Sequence, residues 1–224
     1  MSPTPAERVA AVRRRIGDAA RAAGRDPDSV LLVAVSKTVP AERVAEVVAA
    51  GVVDLGENRA QELSAKAPVL AASGLAVRWH FIGRLQRNKI RALAPYVALW
   101  QSVDRLEVAT EIARFAPGAA VLVQVNIDRE GSKGGCEPDE TGRLVDECRA
   151  AGLDVRGLMA VPALGGDPGS AFRRVRDLVD DLGLRECSIG MSGDLEAAVA
   201  AGSTMVRIGR ALFGERPPAV GAPE

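Results

Sequence analysis

The chain has 224 residues, with 29 basic and 29 acidic side chains, one histidine, and a composition 47% hydrophobic but only 3% aromatic. That length buries one full-sized core or two small ones, and a net charge of zero gives no electrostatic basis for nucleic acid or an anionic membrane as partner. One histidine excludes a multi-histidine metal site, and three cysteines without metal-like spacing (Cys136, Cys148, Cys187) read as reduced thiols of a cytoplasmic protein.

Residues 1–25 are arginine-rich but carry Glu7 and Asp18, and Val9, Val12, Ile16, Ala19, Ala20 and Ala23 recur at helical spacing. This predicts an amphipathic helix with no signal-peptide core. No apolar run approaches the ~20 residues that span a bilayer, so no membrane association is expected. "SVLLVAVSK" (29–37) predicts a buried strand, and "PAERVAEVVAAG" (40–51) a helix with Pro40 near its start and Gly51 past its end. The alternation continues with strands at 52–56, 77–83, 97–104 and 120–126, each followed by a helix, at 58–73, 85–94, 105–116 and 138–152. A glycine-rich loop precedes the last of these. Strands at 154–162, 185–192 and 203–209 follow, with helices at 169–183, 193–202 and 210–214.

Eight such units, with near-continuous apolar strands, predict parallel strands covered on both faces. The fold class is α/β: a single closed (β/α)8 TIM barrel with an extra N-terminal helix, spanning residues 1–214. A doubly wound open sheet is the alternative. The proline-rich stretch "ERPPAVGAPE" (215–224) reads as a flexible tail. Nothing in the pattern advertises a large interface, so a monomer is expected.

A barrel places function at the C-terminal ends of its strands. Polar residues fall there repeatedly: Lys37, Gly56-Glu57-Asn58, His80, Gln101-Ser102, Asn126, Met191-Ser192-Gly193, Arg207 and Gly209. The loops after strands 7 and 8 often build a phosphate site, and "MSGD" and "RIGRALFG" offer a hydroxyl, glycines and helix starts. A partly desolvated lysine loses its proton more easily and can form a Schiff base. Lysine and phosphate site together suit pyridoxal phosphate or a sugar phosphate. Strand alternation points Arg207 inward with Met205 and Gly209; a guanidinium cannot accept a proton, so beside a pyridine nitrogen it would keep that nitrogen unprotonated.

Plainer readings stand beside these. Lys37 could be a solvated strand end, Arg207 a partner of Glu57, Ser192 a helix N-cap, and His80 a packed strand histidine. The "EGSKGG" loop, Glu130 to Gly135, lacks the GK[ST] ending of a P-loop and reads as a flexible rim loop.

The segments "LLVAVSKTVP", "LGENRAQEL", "WHFIGRLQRNKI", "VLVQVN", "GLMAVP" and "IGMSGDLEAAVAAGSTMVRIGRALFG" resemble the pyridoxal phosphate homeostasis protein family, nearly end to end. That family is similar in fold to the barrel domain of bacterial alanine racemase, the fold-type III arrangement for this cofactor. The resemblance implies that Lys37 carries pyridoxal 5'-phosphate covalently as a Schiff base. It implies that Ser192, Arg207 and Gly209, with the backbone near Ile208 and Arg210, hold its phosphate and ring, and that Asn58, His80, Met159 and Ser188 line the same mouth. It further implies a carrier or regulator in cofactor homeostasis, with no established catalytic reaction and with apo pyridoxal phosphate-dependent enzymes as partners. Arg84 and Cys187 depart from common forms of the motifs. Racemisation needs acid–base groups on both faces of the cofactor, and the sole tyrosine, Tyr96, falls on the wrong side of the barrel. A non-catalytic carrier is therefore expected, with a weak amino-acid racemase or a cofactor-free Schiff-base aldolase as alternatives.

Overall fold

The computed structural model describes residues 3–131, 133–162 and 167–214. The expected tail, 215–224, lies outside the described residues. Helix α1 runs Pro5–Ala22. Its start is a capping box: the Thr4 hydroxyl accepts from the Glu7 N–H, and the Glu7 carboxylate accepts from the Thr4 N–H. Val9, Val12, Ile16, Ala19 and Ala20 form its buried stripe.

The barrel units are β1 Leu31–Val35 with α2 Ala41–Ala49, β2 Asp54–Glu57 with α3 Ala60–Ala72, β3 Arg78–Phe81 with α4 Arg87–Leu93, and β4 Val97–Val103 with α5 Leu106–Phe115. They continue with β5 Ala120–Val125 and α6 Thr141–Ala150, β6 Asp154–Ala160 and α7 Pro168–Asp181, β7 Glu186–Ser188 and α8 Leu195–Ala200, and β8 Met205–Ile208 and α9 Arg210–Phe213. Consecutive strands pair in parallel, and β8 returns to β1 with Leu31 opposite Met205 and Ala34 opposite Ile208. The sheet is thus a closed barrel, and the open-sheet alternative falls.

Alternation divides the strand side chains between two environments. Leu32, Ala34, Leu55, Trp79, Phe81, Trp100, Val121, Val123, Leu158, Val206 and Ile208 face outward into one apolar layer beneath the helices. Each fully buried leucine there contributes about 1.5–3 kcal/mol. Inside, Val33, Leu99, Ala120, Leu122, Met159 and Met205 form a second, smaller cluster. The rest of the interior is polar. Strands β2, β3, β4, β7 and β8 contribute Asp54, His80, Gln101, Ser188 and Arg207, all buried.

Strand β7 is the shortest, and the sequence pattern overextends it to residue 192. The chain leaves the sheet early because Gly190 adopts φ +95°, and a Cβ there would run into Ala198 of α8. The β7–β8 seam rests on the Ser188–Met205 pairing, with Thr204 N–H donating to Cys187 O at 2.9 Å and Arg207 N–H to Gly190 O at 3.0 Å. Among the described residues no helix is long and apolar enough to cross a membrane.

Candidate functional site

Lys37 lies two residues past the end of β1, half-buried, in a turn. Its amine makes no hydrogen bond or ion pair with a described residue. The backbone around it is held firmly. Thr38 has φ +63°, a left-handed conformation that costs a threonine energy. Two hydrogen bonds hold it: Thr38 N–H to Glu62 Oε2 at 2.6 Å and Val39 N–H to Ser36 O at 3.0 Å. Behind the turn, Lys66 Nζ donates to Ser36 O (2.8 Å), Glu57 Oε1 (2.5 Å) and Glu62 Oε2 (2.9 Å). Ser36 Oγ adds a bond to Glu57 Oε1 at 2.9 Å. Burial pushes the Glu57 carboxyl up, against the pull of Lys66 and Ser36. At Glu62 burial also pushes upward, but hydrogen bonds from Lys66 and Thr38 outweigh it and hold that carboxyl below its usual range. Buried Glu57 and half-buried Glu62 thus engage Lys66, while the neighbouring Lys37 amine stays unengaged by any described residue.

Arg207, opposite Val33 in the β1–β8 ladder, is 5% exposed. Its Nη1 donates to Ser188 O and Ser188 Oγ, both at 2.6 Å, and its Nη2 to Ala160 O at 2.9 Å. The pairing with Glu57 that the sequence left open does not form, because Glu57 is occupied by Lys66. No carboxylate of a described residue lies within ion-pair distance of Arg207. Burial lowers its pKa to about 10, so the guanidinium stays charged at neutral pH. A buried cation without a counter-ion is costly, which makes this position suited to an acceptor or anion from outside.

The loops after β7 and β8 border the same mouth. Ser192 is half-buried and its hydroxyl has no described partner; the N-cap of α8 is Asp194, so Ser192 is not serving as the cap. Arg15 of α1 fixes this loop by donating to Ser192 O at 2.8 Å. A Cβ on Gly193 would meet nothing within 4 Å, leaving open space above its backbone. Gly209 is pressed against β1, where a Cβ would come 3.3 Å from Val35 O. Across the mouth, past the end of β2, Asn58 Oδ1 is buried without a hydrogen-bond partner.

The other residues expected at the mouth lie deeper. His80 is 3% exposed, with Nε2 at 3.0 Å from Asp54 Oδ1 and Nδ1 at 2.7 Å from Gln101 Nε2. Both ring nitrogens are used, so it has no free nitrogen to offer a ligand. Ser188 is fully buried between Gln101 and Arg207, and Met159 sits in the inner apolar cluster. Ile208 points outward into the helix-side layer, so only its backbone borders the mouth. Of the Glu130–Gly135 loop, Ser132 lies outside the described residues; its ends are tied by Asn126 Nδ2 donating to Glu130 O (3.1 Å) and Gln124 Nε2 to Gly134 O (2.8 Å).

Sequence reasoning missed Lys66, Glu62, Asp54 and the work of Gln101. The Glu62–Lys66 spacing of four was a visible signal for a helical ion pair. Its contact with the β2 carboxylate was not, since that depends on how α3 lies on the barrel.

Chemically, the mouth presents an unpaired amine, a fixed guanidinium and two glycine-bordered loops. These suit a ligand with a carbonyl at one end, a hydrogen-bond acceptor in its body and an anionic group at the other. The family model described as "Alanine racemase, N-terminal domain" matches residues 8–217. A pyridoxal phosphate homeostasis protein of Pseudomonas aeruginosa is 46% identical over 223 residues, covering 95% of this chain and 96% of that protein. The solved structure of PipY from Synechococcus elongatus, with PLP bound, superposes at a TM-score of 0.82 with 32% identity, covering 94% of this chain and 100% of that one. An alanine racemase of Clostridium difficile shares the fold at a TM-score of 0.68 and 17% identity, and this chain spans 57% of its length.

Proposed function

The chain belongs to the alanine racemase N-terminal domain family and, within it, to the pyridoxal phosphate homeostasis proteins, and from that premise we propose that it binds pyridoxal phosphate through Lys37 and acts in the homeostasis of that cofactor. It holds the cofactor and releases it in the cytoplasm to apo-enzymes that depend on it, without turning over a substrate of its own. One observation carries this reading: a lysine amine just past the end of β1 and a buried guanidinium on the neighbouring β8, neither paired with a carboxylate of a described residue.

The residues present fit the cofactor. Among the described residues Lys37 Nζ has no partner, Arg207 has no counter-ion, nothing meets the space above Gly193, and Asn58 Oδ1 has no donor. Bound pyridoxal phosphate supplies an aldehyde for reversible covalent attachment and an electron-accepting pyridine ring. Lys37 would hold the cofactor through its aldehyde, a link that forms with loss of water and that water would reverse. The Arg207 guanidinium donates toward the ring nitrogen and has no lone pair with which to take a proton, so it does not support the protonated ring that strong carbanion chemistry uses. The Ser192 hydroxyl and the backbone at Gly193 and Gly209 receive the phosphate. Tyr96 stands immediately before β4, at the barrel end opposite Lys37, and supplies no second acid–base group at the mouth.

Purified protein is expected to take up pyridoxal phosphate with an imine absorbance band that Lys37→Ala abolishes. A wild type that takes up none contradicts the reading. Solvent deuterium exchange at the α-carbon of alanine separates a carrier from a racemase: exchange on the order of 1 per second or faster contradicts the carrier reading.

A further inference from the structure

A line of polar side chains crosses the barrel interior, and its polarity is forced. Arg207 has only donors, so Ser188 Oγ must accept from Nη1 at 2.6 Å. The one Ser188 hydrogen then points at Gln101 Oε1, 2.7 Å away. This turns the Gln101 amide so that its NH2 faces two acceptors, His80 Nδ1 at 2.7 Å and Met205 Sδ at 3.0 Å. Nδ1 therefore carries no proton, and the ring hydrogen sits on Nε2, facing Asp54 Oδ1 at 3.0 Å. Asp54 is fixed in turn by Arg78, through Nε at 2.8 Å and Nη2 at 2.6 Å. Asp54 and Arg78 also line a cavity of about 590 Å³ at the N-terminal end of the barrel. Five strands thus contribute to one directed chain of hydrogen bonds, from the N-terminal end of the barrel towards the mouth.

We propose that His80, Gln101 and Ser188 are positioning residues that orient Arg207 toward the cofactor ring, and that the state of the ring is relayed back to His80 through the same bonds. The coupling to the ring rests on the function proposed above; the polarity of the line does not. Each bond has one permitted direction, so a change in what Arg207 donates to must alter the next bond and the next. Ser188 and Gln101 are fully buried, and His80 is 3% exposed, so water offers no alternative partner along the way.

His80 is the sole histidine, so 15N-histidine labelling of the full-length protein gives one pair of ring nitrogens. In the cofactor-free wild type the Nε2–H tautomer is expected; a dominant Nδ1–H form overturns the proposal. Arg207, which only donates, and the Asp54 carboxylate, which only accepts, set the polarity from the two ends; in cofactor-free Asp54→Asn/Arg207→Met both are gone and a mixture of tautomers is expected, so wild-type signals in this double variant overturn the proposal. Added pyridoxal phosphate, with loading read from absorbance, is expected to shift both ring nitrogens in wild type and neither in Gln101→Met. Loaded wild type with unmoved nitrogens, or a Gln101→Met protein that shifts like wild type, overturns it. Gln101→Met is also expected to bind the cofactor about threefold to tenfold more weakly, as one net hydrogen bond predicts. If wild type fails to load, the functional reading falls while the two cofactor-free comparisons still decide the polarity of the line. If Gln101→Met does not fold, the cofactor-free wild type and Asp54→Asn/Arg207→Met decide it.

Discussion

The chemistry proposed for Lys37 depends on Lys66, whose amine engages Glu57 and Glu62 behind the Lys37 turn. Lys66 satisfies the buried Glu57 and clamps Ser36 and Glu62 around the strained Thr38 turn. Lys66→Met leaves Glu57 buried with its main partner gone, and is expected to cost about 3–5 kcal/mol in urea unfolding. The double variant Glu57→Gln/Lys66→Met should recover part of that, since no bare carboxylate remains. A cost below about 1 kcal/mol, the range of an exposed pair, would show that the cluster does not hold the turn. Asp54 makes a pH prediction. Burial pushes its carboxyl up, but hydrogen bonds from His80 and Arg78 outweigh this and hold it below its ordinary 3.8. A carboxyl lowered by folding stabilises the protein above its unfolded value, and that stability is lost as pH falls through the folded value. Asp54→Asn is therefore expected to cost about 1–3 kcal/mol at neutral pH, and the gap to wild type should close as acid is added below pH 3.8. A gap that stays constant into that range contradicts the assignment.

Among the elements, α1 does more than cover the barrel. It packs against α2, α8 and α9, and its Arg15 joins Glu196 of α8 to the carbonyl of Ser192. The Arg15–Glu196 pair is partly exposed, so its loss should move stability by less than about 1 kcal/mol. The bond to Ser192 lies in the loop assigned to the phosphate. Arg15→Ala is therefore expected to weaken pyridoxal phosphate binding about threefold or more, by loss of one ordering hydrogen bond, with little change in thermal midpoint. Unchanged affinity would argue that this loop does not hold the phosphate. The eight strands were readable because apolar runs covered on both faces leave a pattern any register preserves. The inward aim of Arg207 was also readable, from the alternation through Met205. The partners of His80 were not: Asp54 and Gln101 lie 26 and 21 residues from it, Gln101's own partner Ser188 lies 87 residues further on, and they meet only because the sheet closes. The family resemblance implied Met159 and Ser188 at the mouth, while closure places both in the packed interior.

At the scale of the whole molecule, the described residues form the barrel with one added helix. The chain covers 57% of the Clostridium difficile alanine racemase that shares its fold. Its interior is split between an apolar half, which packs, and a polar half, which leads from Asp54 to Arg207. The proposed nucleophile and anion site lie at the ends of β1, β7 and β8, next to each other around the barrel. The central claim is that Lys37 is the point of covalent attachment. Incubating the full-length protein with pyridoxal phosphate, reducing with borohydride and mapping the modified peptide tests this directly. The account predicts a single stable phosphopyridoxyl group on Lys37 at stoichiometric cofactor. Modification spread over surface lysines, or located elsewhere with Lys37 unmodified, would contradict it.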